Sequence, residues 1–301
     1  MSWHMANRVA AIAAAHAHDA FEVDPTRTPI QVAPAIARAE LPLMWQPMPS
    51  LFGAYVANPG EPAGILVNNR LSRTVRRHTA AHELGHHWLG HTTSLDLGVD
   101  ADSEHQPNVV GHRNTPAEKA AEAFAAWFLM PRRGVATTMK QLQLAGIESA
   151  DQAYQLALHL GTSFLATVRQ LASLRLITAE QARAWSRIAP ATIKRRLIGE
   201  LLDTTRDVDV WHLGRGRGRV IHASPADMLI VPTRDGLEAI EGPMTIKART
   251  TRGVVLTGSS VEAPATALIH TCDDVITVVI EPRPHGLDLP GIVDPAAAES
   301  M

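Results

Sequence analysis

The chain predicts an α+β protein, and three observations carry that expectation. A helical apolar stripe over residues 75–89 encloses His82-Glu83-Leu84-Gly85-His86, and two short strand-like runs precede it. Residues 137–200 read as helix throughout. Beyond residue 208 the pattern changes to short runs broken by Gly, Pro and Asp-Gly turns, the mark of a β-rich region. The expected organisation has three parts: 1–136 around the motif, a helical region over 137–204, and a β-rich part over 205–301.

Composition narrows the class. With 301 residues, 46% apolar and 19% charged, the chain is globular and can bury a real core. A formal net charge of −2 gives no sign of a nucleic-acid or membrane-surface protein. The single cysteine, Cys272, cannot make an internal disulfide and fits a reducing cytosol. No apolar run reaches the roughly 18 residues needed to span a bilayer. Residues 1–20 lack a basic leading segment and do not read as a signal peptide. A cytoplasmic protein with no membrane partner is expected.

In chain order, residues 5–18 form an Ala-rich helix. Ile30 to Arg38 supply a second one, whose start is limited by Pro34. Leu41 to Met48 is proline-punctuated and extended. Gly53–Ala57 and Gly64–Asn68 read as strands joined by the turn Asn58-Pro-Gly-Glu-Pro62. An exposed edge of this hairpin would suit an extended substrate segment. Ser72 then caps the motif helix.

On that helix His82 and His86 lie four positions apart, hence on one face. Two imidazoles so placed can bind one Zn²⁺ from the same side. Glu83 is offset from both and can take the proton from a metal-activated water as general base. Three fixed residues of these types arise by chance with a frequency of roughly 4% in such a chain, so context must add weight. Val75, Ala80, Ala81, Leu84, Trp88 and Leu89 add it by placing the motif on an amphipathic helix. The plain alternative is a His-rich solvated helix face.

Zinc needs a third protein ligand. Residues 92–117 read as a polar surface loop, and His105 and His112 within it as solvated side chains. The next helix opens at Thr115-Pro116 and is stopped by Pro131, with Ala121, Phe124, Ala125, Phe128 and Leu129 as its buried stripe. Glu118 lies roughly 50° from the centre of that stripe and Glu122 roughly 90°, so Glu118 is the better aimed. Glu122 then suits an outer role, accepting an N–H from a ligating imidazole. Thr115-x-x-Glu118 also spells a capping box, and if Glu118 serves there Glu122 becomes the ligand. His91 is a further rival. It sits about 180° round the helix from His82 and would need a break at Gly90. The longer H-E-x-x-H-x-x-G-x-x-H pattern fails at Leu89 and Thr92. His87 points about 100° from His86, as a neighbour.

In the helical region Ala150–Leu160, the turn Gly161-Thr-Ser163 and Phe164–Leu174 follow in helix-turn-helix order, and Thr178-Ala-Glu-Gln181 is a capping box. The second helix offers Thr167, Arg169 and Gln170 to DNA but little further basic charge, so a packing module is the expected role. Strands are expected at Val208–Leu213, Arg219–Ala223, Met228–Val231, Met244–Arg249, Gly253–Thr257 and Val275–Glu281. Gly214-Arg-Gly-Arg-Gly-Arg219 is a hairpin tip rather than a phosphate loop, because no helix follows it. Residues 285–301 read as a tail.

Gly64-Ile-Leu-Val-Asn68, Arg77-His-Thr-Ala-Ala-His-Glu-Leu-Gly-His86 and Glu118-x-x-Ala-Glu-Ala-Phe-Ala-Ala-Trp-Phe-Leu-Met-Pro131 together resemble the ImmA/IrrE metallopeptidase family. The likeness covers about residues 30–131, and two separate motifs fall in order. It implies a zincin-like domain with His82, His86 and Glu118 as metal ligands, Zn²⁺ as the ion with Mn²⁺ or Fe²⁺ as alternatives, and Glu83 as the base. Relatives usually carry Asn or Asp where this chain has Glu122. The resemblance further implies a bacterial or phage regulator that cleaves a helix-turn-helix repressor and so derepresses its genes. It also implies a helical middle region and a C-terminal sensor domain of GAF-like fold. The alternative is a metal-bound regulator that works by binding DNA or a partner without cleavage.

Overall fold

The structure is a computed structural model that describes residues 2–97, 115–201, 207–214 and 220–289. His105, His112 and residues 215–219 of the Arg-Gly run lie outside these. The chain gathers into two compact units. The first is Met1–Pro131 joined by the segment that begins at Pro284, and the second is Arg132–Arg283.

The first unit opens with helices α1 (Trp3–Ala20) and α2 (Val32–Arg38). Pro34 falls in the first turn of α2, where its missing N–H costs nothing. Strands β1 (Leu43–Gln46), β2 (Leu51–Val56) and β3 (Gly64–Asn68) lead into α3 (Arg73–Trp88). Strand β4 (Ser94–Leu97) and helix α4 (Pro116–Leu129) follow.

The second unit holds α5 (Arg132–Gln141), α6 (Ala150–Leu160), α7 (Phe164–Ser173), α8 (Ala179–Trp185) and α9 (Pro190–Ile198). Its strands are β5 (Val210–His212), β6 (Val220–Ala223), β7 (Met228–Pro232), β8 (Leu237–Glu241), β9 (Met244–Thr250), β10 (Gly253–Gly258), β11 (Ala265–Thr271) and β12 (Val275–Ile280). The last strand, β13 (Gly286–Asp288), belongs to the first unit. The α+β class expected from the sequence is what the structure has, with helices and three sheets.

The sheet of the first unit runs β13-β1-β3-β2-β4. Its β1–β3 pair is parallel and the other pairs are antiparallel. Two features depart from the sequence reading. Residues 94–97, expected in a loop, form the edge strand β4 against β2. Thr93 starts it, its hydroxyl accepting the Ala57 N–H and donating to the Ala57 carbonyl, both at 2.9 Å. Residues 286–288, expected in a tail, pair with β1, where the Trp45 indole donates to Asp288 at 2.8 Å. The 53–68 hairpin therefore has no open edge: β4 covers β2, and β1 covers β3. Asn68 ties the turn between β1 and β2, donating to the Met48 carbonyl at 2.7 Å and the Leu51 carbonyl at 2.8 Å.

Helix α3 lies on β2 and β3, and α4 packs against both α3 and α1. Small side chains set these approaches. The buried face of α1 is Ala6, Ala10, Ala14 and Ala17, and α4 buries Ala120, Ala121, Ala123 and Ala125 beside Phe124 and Phe128. Two polar ties register α1 on α4: Trp127 donates to Asn7 at 2.8 Å, and His18 Nε2 donates to the Phe128 carbonyl at 2.9 Å. Burial lowers the pKa of His18 and keeps it neutral for that role.

In the second unit α6 ends at Gly161 in the left-handed conformation, φ 65°, and Ser163 caps α7 by accepting the Ala166 N–H. Of the three α7 residues a DNA-reading helix would present, Thr167 and Gln170 are buried and Arg169 alone is exposed. Two four-stranded sheets follow, ordered β5-β7-β10-β9 and β6-β12-β11-β8. The sequence reading missed β8 and β11. The first carries two Glu and an Ala in five residues and the second opens with Ala-Thr-Ala, which weakens the local strand signal of both. Ile198 at the end of α9 packs with Val208, Val210, Met228, Ile230 and Val255, so the helices and strands of this unit share a core. Among the described residues no helix is long and apolar enough to cross a membrane.

Candidate metal centre

The amphipathic stripe that marks α3 as a helix also decides which of its residues turn inward. His82, Glu83 and His86 are all buried, on the side facing α4 and the sheet. Two glycines allow the close fit. A Cβ on Gly85 would sit 2.8 Å from the Phe124 ring and 3.3 Å from the Ala121 Cα. A Cβ on Gly53 in β2 would sit 2.5 Å from Thr79 Cγ2 and 3.0 Å from Glu83 Oε1.

The fit brings three donor atoms together. His82 Nε2 and His86 Nε2 are 3.0 Å apart. Glu118 Oε2 lies 3.2 Å from His82 Nε2, and Glu118 Oε1 lies 3.4 Å from His86 Nε2. Among the described residues these three form a group able to hold a metal ion. The dimensions suit one. Tetrahedral zinc with ligands at about 2.0–2.1 Å separates its ligand atoms by roughly 3.3 Å. Two imidazoles and a carboxylate are also the donor set of a hydrolytic zinc site with an open fourth position.

Glu118 and Glu122 take different places, and Thr115 shows how. The Thr115 hydroxyl caps α4 by accepting the Glu118 N–H at 3.1 Å, while the Glu118 carboxylate swings to the histidines instead of back to Thr115. Glu122 stands one turn on. His78 Nε2 donates to it at 2.9 Å, and its Oε2 is 3.7 Å from His82 Nδ1. It thus lies behind His82, on the side away from the shared centre. His78, a partner the sequence reading did not assign, is one turn before His82 on the same face.

The remaining candidates also find places. Glu83 Oε2 accepts from Ser94 Oγ on β4 at 3.2 Å. His87 turns away from the cluster, and its Nδ1 is 3.1 Å from the Tyr55 hydroxyl. His91 does not join the three donors. The helix ends before Gly90, φ 67°, and the His91 ring folds back so that its Nδ1 meets His86 Nδ1 at 3.0 Å. Ser94 and His78 were not assigned to the site from sequence, and of these two only His78 carried a signal, its spacing of four from His82. His91 was weighed as a rival ligand needing a break at Gly90; the break is there, and the ring meets His86 behind the three donors.

The electrostatics are those of a cation site. Burial opposes a charge on His82, but Glu118 and Glu122 outweigh it and raise its pKa well above the ordinary value. Burial likewise opposes charge on Glu118, yet His82 and His86 hold it down at about 2. Glu122 is held well below the usual carboxylate range, where His78 and His82 overcome its desolvation. Burial, helped by the neighbouring His86, lowers the pKa of His91. The negative field that favours a proton on His82 also favours a divalent cation, and the two compete for the same ring nitrogens.

Comparison with known families gives one match. Residues 51–171 fit the model of the Peptidase_M78 family, described as the IrrE N-terminal-like domain. The match starts at β2, contains α3 and α4 with all the residues above, and continues into α7. No curated protein shows a significant match to the chain. Residues 51–171 thus match an IrrE N-terminal-like domain, which supports an ImmA/IrrE-like metallopeptidase domain over that stretch.

Proposed function

We propose that the protein is a zinc-dependent endopeptidase that cleaves a partner helix-turn-helix transcriptional repressor and so derepresses its genes, in a stress response or in a mobile element. The observation that carries the reading is the convergence of His82, His86 and Glu118 within 4.8 Å, next to the buried Glu83. His82, His86 and Glu118 would hold the ion. When bound, it supplies Lewis acidity that activates water and polarises the scissile carbonyl. Glu83 takes the proton from the attacking water and returns it to the leaving amine. Glu122 and Ser94 hold their neighbours in place. Zinc suits the donor set, with Mn²⁺ and Fe²⁺ as alternatives.

Selectivity comes from presentation of the substrate. With the 53–68 hairpin closed on both sides, β4 is an edge strand of the sheet among the described residues and the candidate for pairing with an extended segment. Its Ser94 already reaches Glu83, which would bring such a segment beside the base. Pairing of this kind needs local unfolding, which favours an interdomain or interhelix stretch of a repressor. The α6–α7 pair serves as a packing module, since burial of Thr167 and Gln170 removes two of its three base-reading candidates. The β-rich part senses or recruits, as a GAF-like domain would, and the protein acts in the cytoplasm.

The test mixes full-length protein, Zn²⁺ and the repressor encoded beside its gene, and reads fragment masses. One cut, lost in Glu83→Gln with the metal retained, is the expected result. Casein should be turned over little. Broad casein digestion would remove the regulator reading. Tight DNA or partner binding with no cleavage would favour the metal-bound, non-cleaving regulator.

A further inference from the structure

A histidine that binds a metal through Nε2 must carry its remaining proton on Nδ1, and that N–H needs an acceptor behind the ring. For His82 the position is taken by Glu122, whose Oε2 is 3.7 Å from Nδ1. Behind His86 stands the His91 ring instead. Its Nδ1 is 3.0 Å from His86 Nδ1, with ring centroids 5.0 Å apart and planes at 66°.

The backbone puts it there. On a continuous helix residue 91 would project away from the site. Gly90 adopts φ 67°, a left-handed conformation open to glycine, and the chain reverses. The His91 N–H then donates to the His86 carbonyl at 2.9 Å, and the Gly90 N–H to the His87 carbonyl at 3.0 Å. His91 is thus tied to His86 through both backbone and ring.

From this geometry we infer that His91 is a positioning residue for the metal centre: its Nδ1 accepts the His86 Nδ1–H and leaves the His86 Nε2 lone pair facing His82 and Glu118. The inference rests on the reading of His82, His86 and Glu118 as metal ligands. Two nitrogens 3.0 Å apart require one donor and one acceptor. If His91 donated, a neutral His86 would carry its proton on Nε2, aimed at His82 Nε2 and blocking a cation. If His86 donates, Nε2 is open. Metal loading selects the second arrangement, and His91 supplies the acceptor it needs. His86 is buried, 1% exposed, so solvent is a poor substitute.

The test uses full-length protein and Zn²⁺ alone, with affinity measured by competition against a chromophoric chelator. Co²⁺ absorption serves as a second readout of ligand geometry. His91→Phe keeps a ring of similar shape without the nitrogen, and His91→Asn keeps an acceptor near the position of Nδ1. The Phe variant should bind Zn²⁺ about 10–100-fold more weakly and show an altered Co²⁺ spectrum, as losses behind a ligating histidine do. The Asn variant should stay near wild type in both. Equal Zn²⁺ affinity in the two variants, whether strong or weak, overturns the role of His91. Wild-type protein that binds neither ion overturns the metal reading itself, a result distinct from the first.

Discussion

Helices α3 and α7 both bury polar side chains, and they do so in opposite ways. In α7 the Thr167 hydroxyl lies 2.7 Å from the Thr162 hydroxyl, both nearly inaccessible. A hydroxyl can donate and accept at once, so the two bond to each other while Thr162 also reaches the Ala157 carbonyl at 3.5 Å. In α3 two imidazole nitrogens face each other at 3.0 Å with a carboxylate beside them. Three electron-rich atoms in one place cannot satisfy one another without a proton or a cation. Buried polar groups whose neighbours complement them are packing. Buried polar groups whose neighbours duplicate them mark a place for something else.

The largest effect that would break this contrast is loss of the ion. His82→Ala and His86→Ala should each abolish metal retention, read by mass spectrometry of purified protein. Glu118→Ala should weaken metal binding more than Glu122→Ala, because Glu122 lies behind His82 rather than beside the shared centre. Full occupancy in both histidine variants would reduce α3 to a buried polar helix like α7.

A smaller effect tests whether the α3–α4 approach creates the site. Gly85→Ala puts a methyl 2.8 Å from the Phe124 ring and 3.3 Å from the Ala121 backbone, which cannot both yield. Overpacking of this sort costs about 1–3 kcal/mol, seen as a lower denaturation midpoint, and should separate Glu118 from the histidines and weaken Zn²⁺ binding with it. Stability lost with metal affinity unchanged would show that the spacing of the two helices does not set the site.

The smallest effect sharpens the α7 side. Thr167→Val should cost about 1–3 kcal/mol, because it removes the shorter of the two contacts of the buried Thr162 hydroxyl. Thr162→Val made together with Thr167→Val should recover much of that, and a thermodynamic cycle would report the coupling. Neither change should alter metal content. A loss of zinc in these variants would join the two helices in one function.

The limits of the helices around the site were legible locally. Ser72, Thr115-Pro116 and Pro131 bound α3 and α4, although only Thr115 caps with its side chain and Ser72 makes no such bond, and period-3.6 burial turns His82, His86 and Glu118 inward. Local rules could not choose between Glu118 as a cap and Glu118 as a site residue. Thr115-x-x-Glu118 permits both, and the nearby histidines, 36 and 32 positions away in sequence, draw the carboxylate off. Nor could they find β4 on β2, or β13 on β1 across 243 residues at Trp45–Asp288, because strand pairing depends on which chain segments meet. His91 is the sharpest case. Its helical angle points it away unless the helix breaks at Gly90, and the left-handed Gly90 makes that break and returns the ring to His86 rather than to the shared centre. The sequence by itself determined which residues lie on the buried face of each helix, a matter of local periodicity. Only the tertiary structure decided which of those residues touch, because contact is settled where separate elements meet.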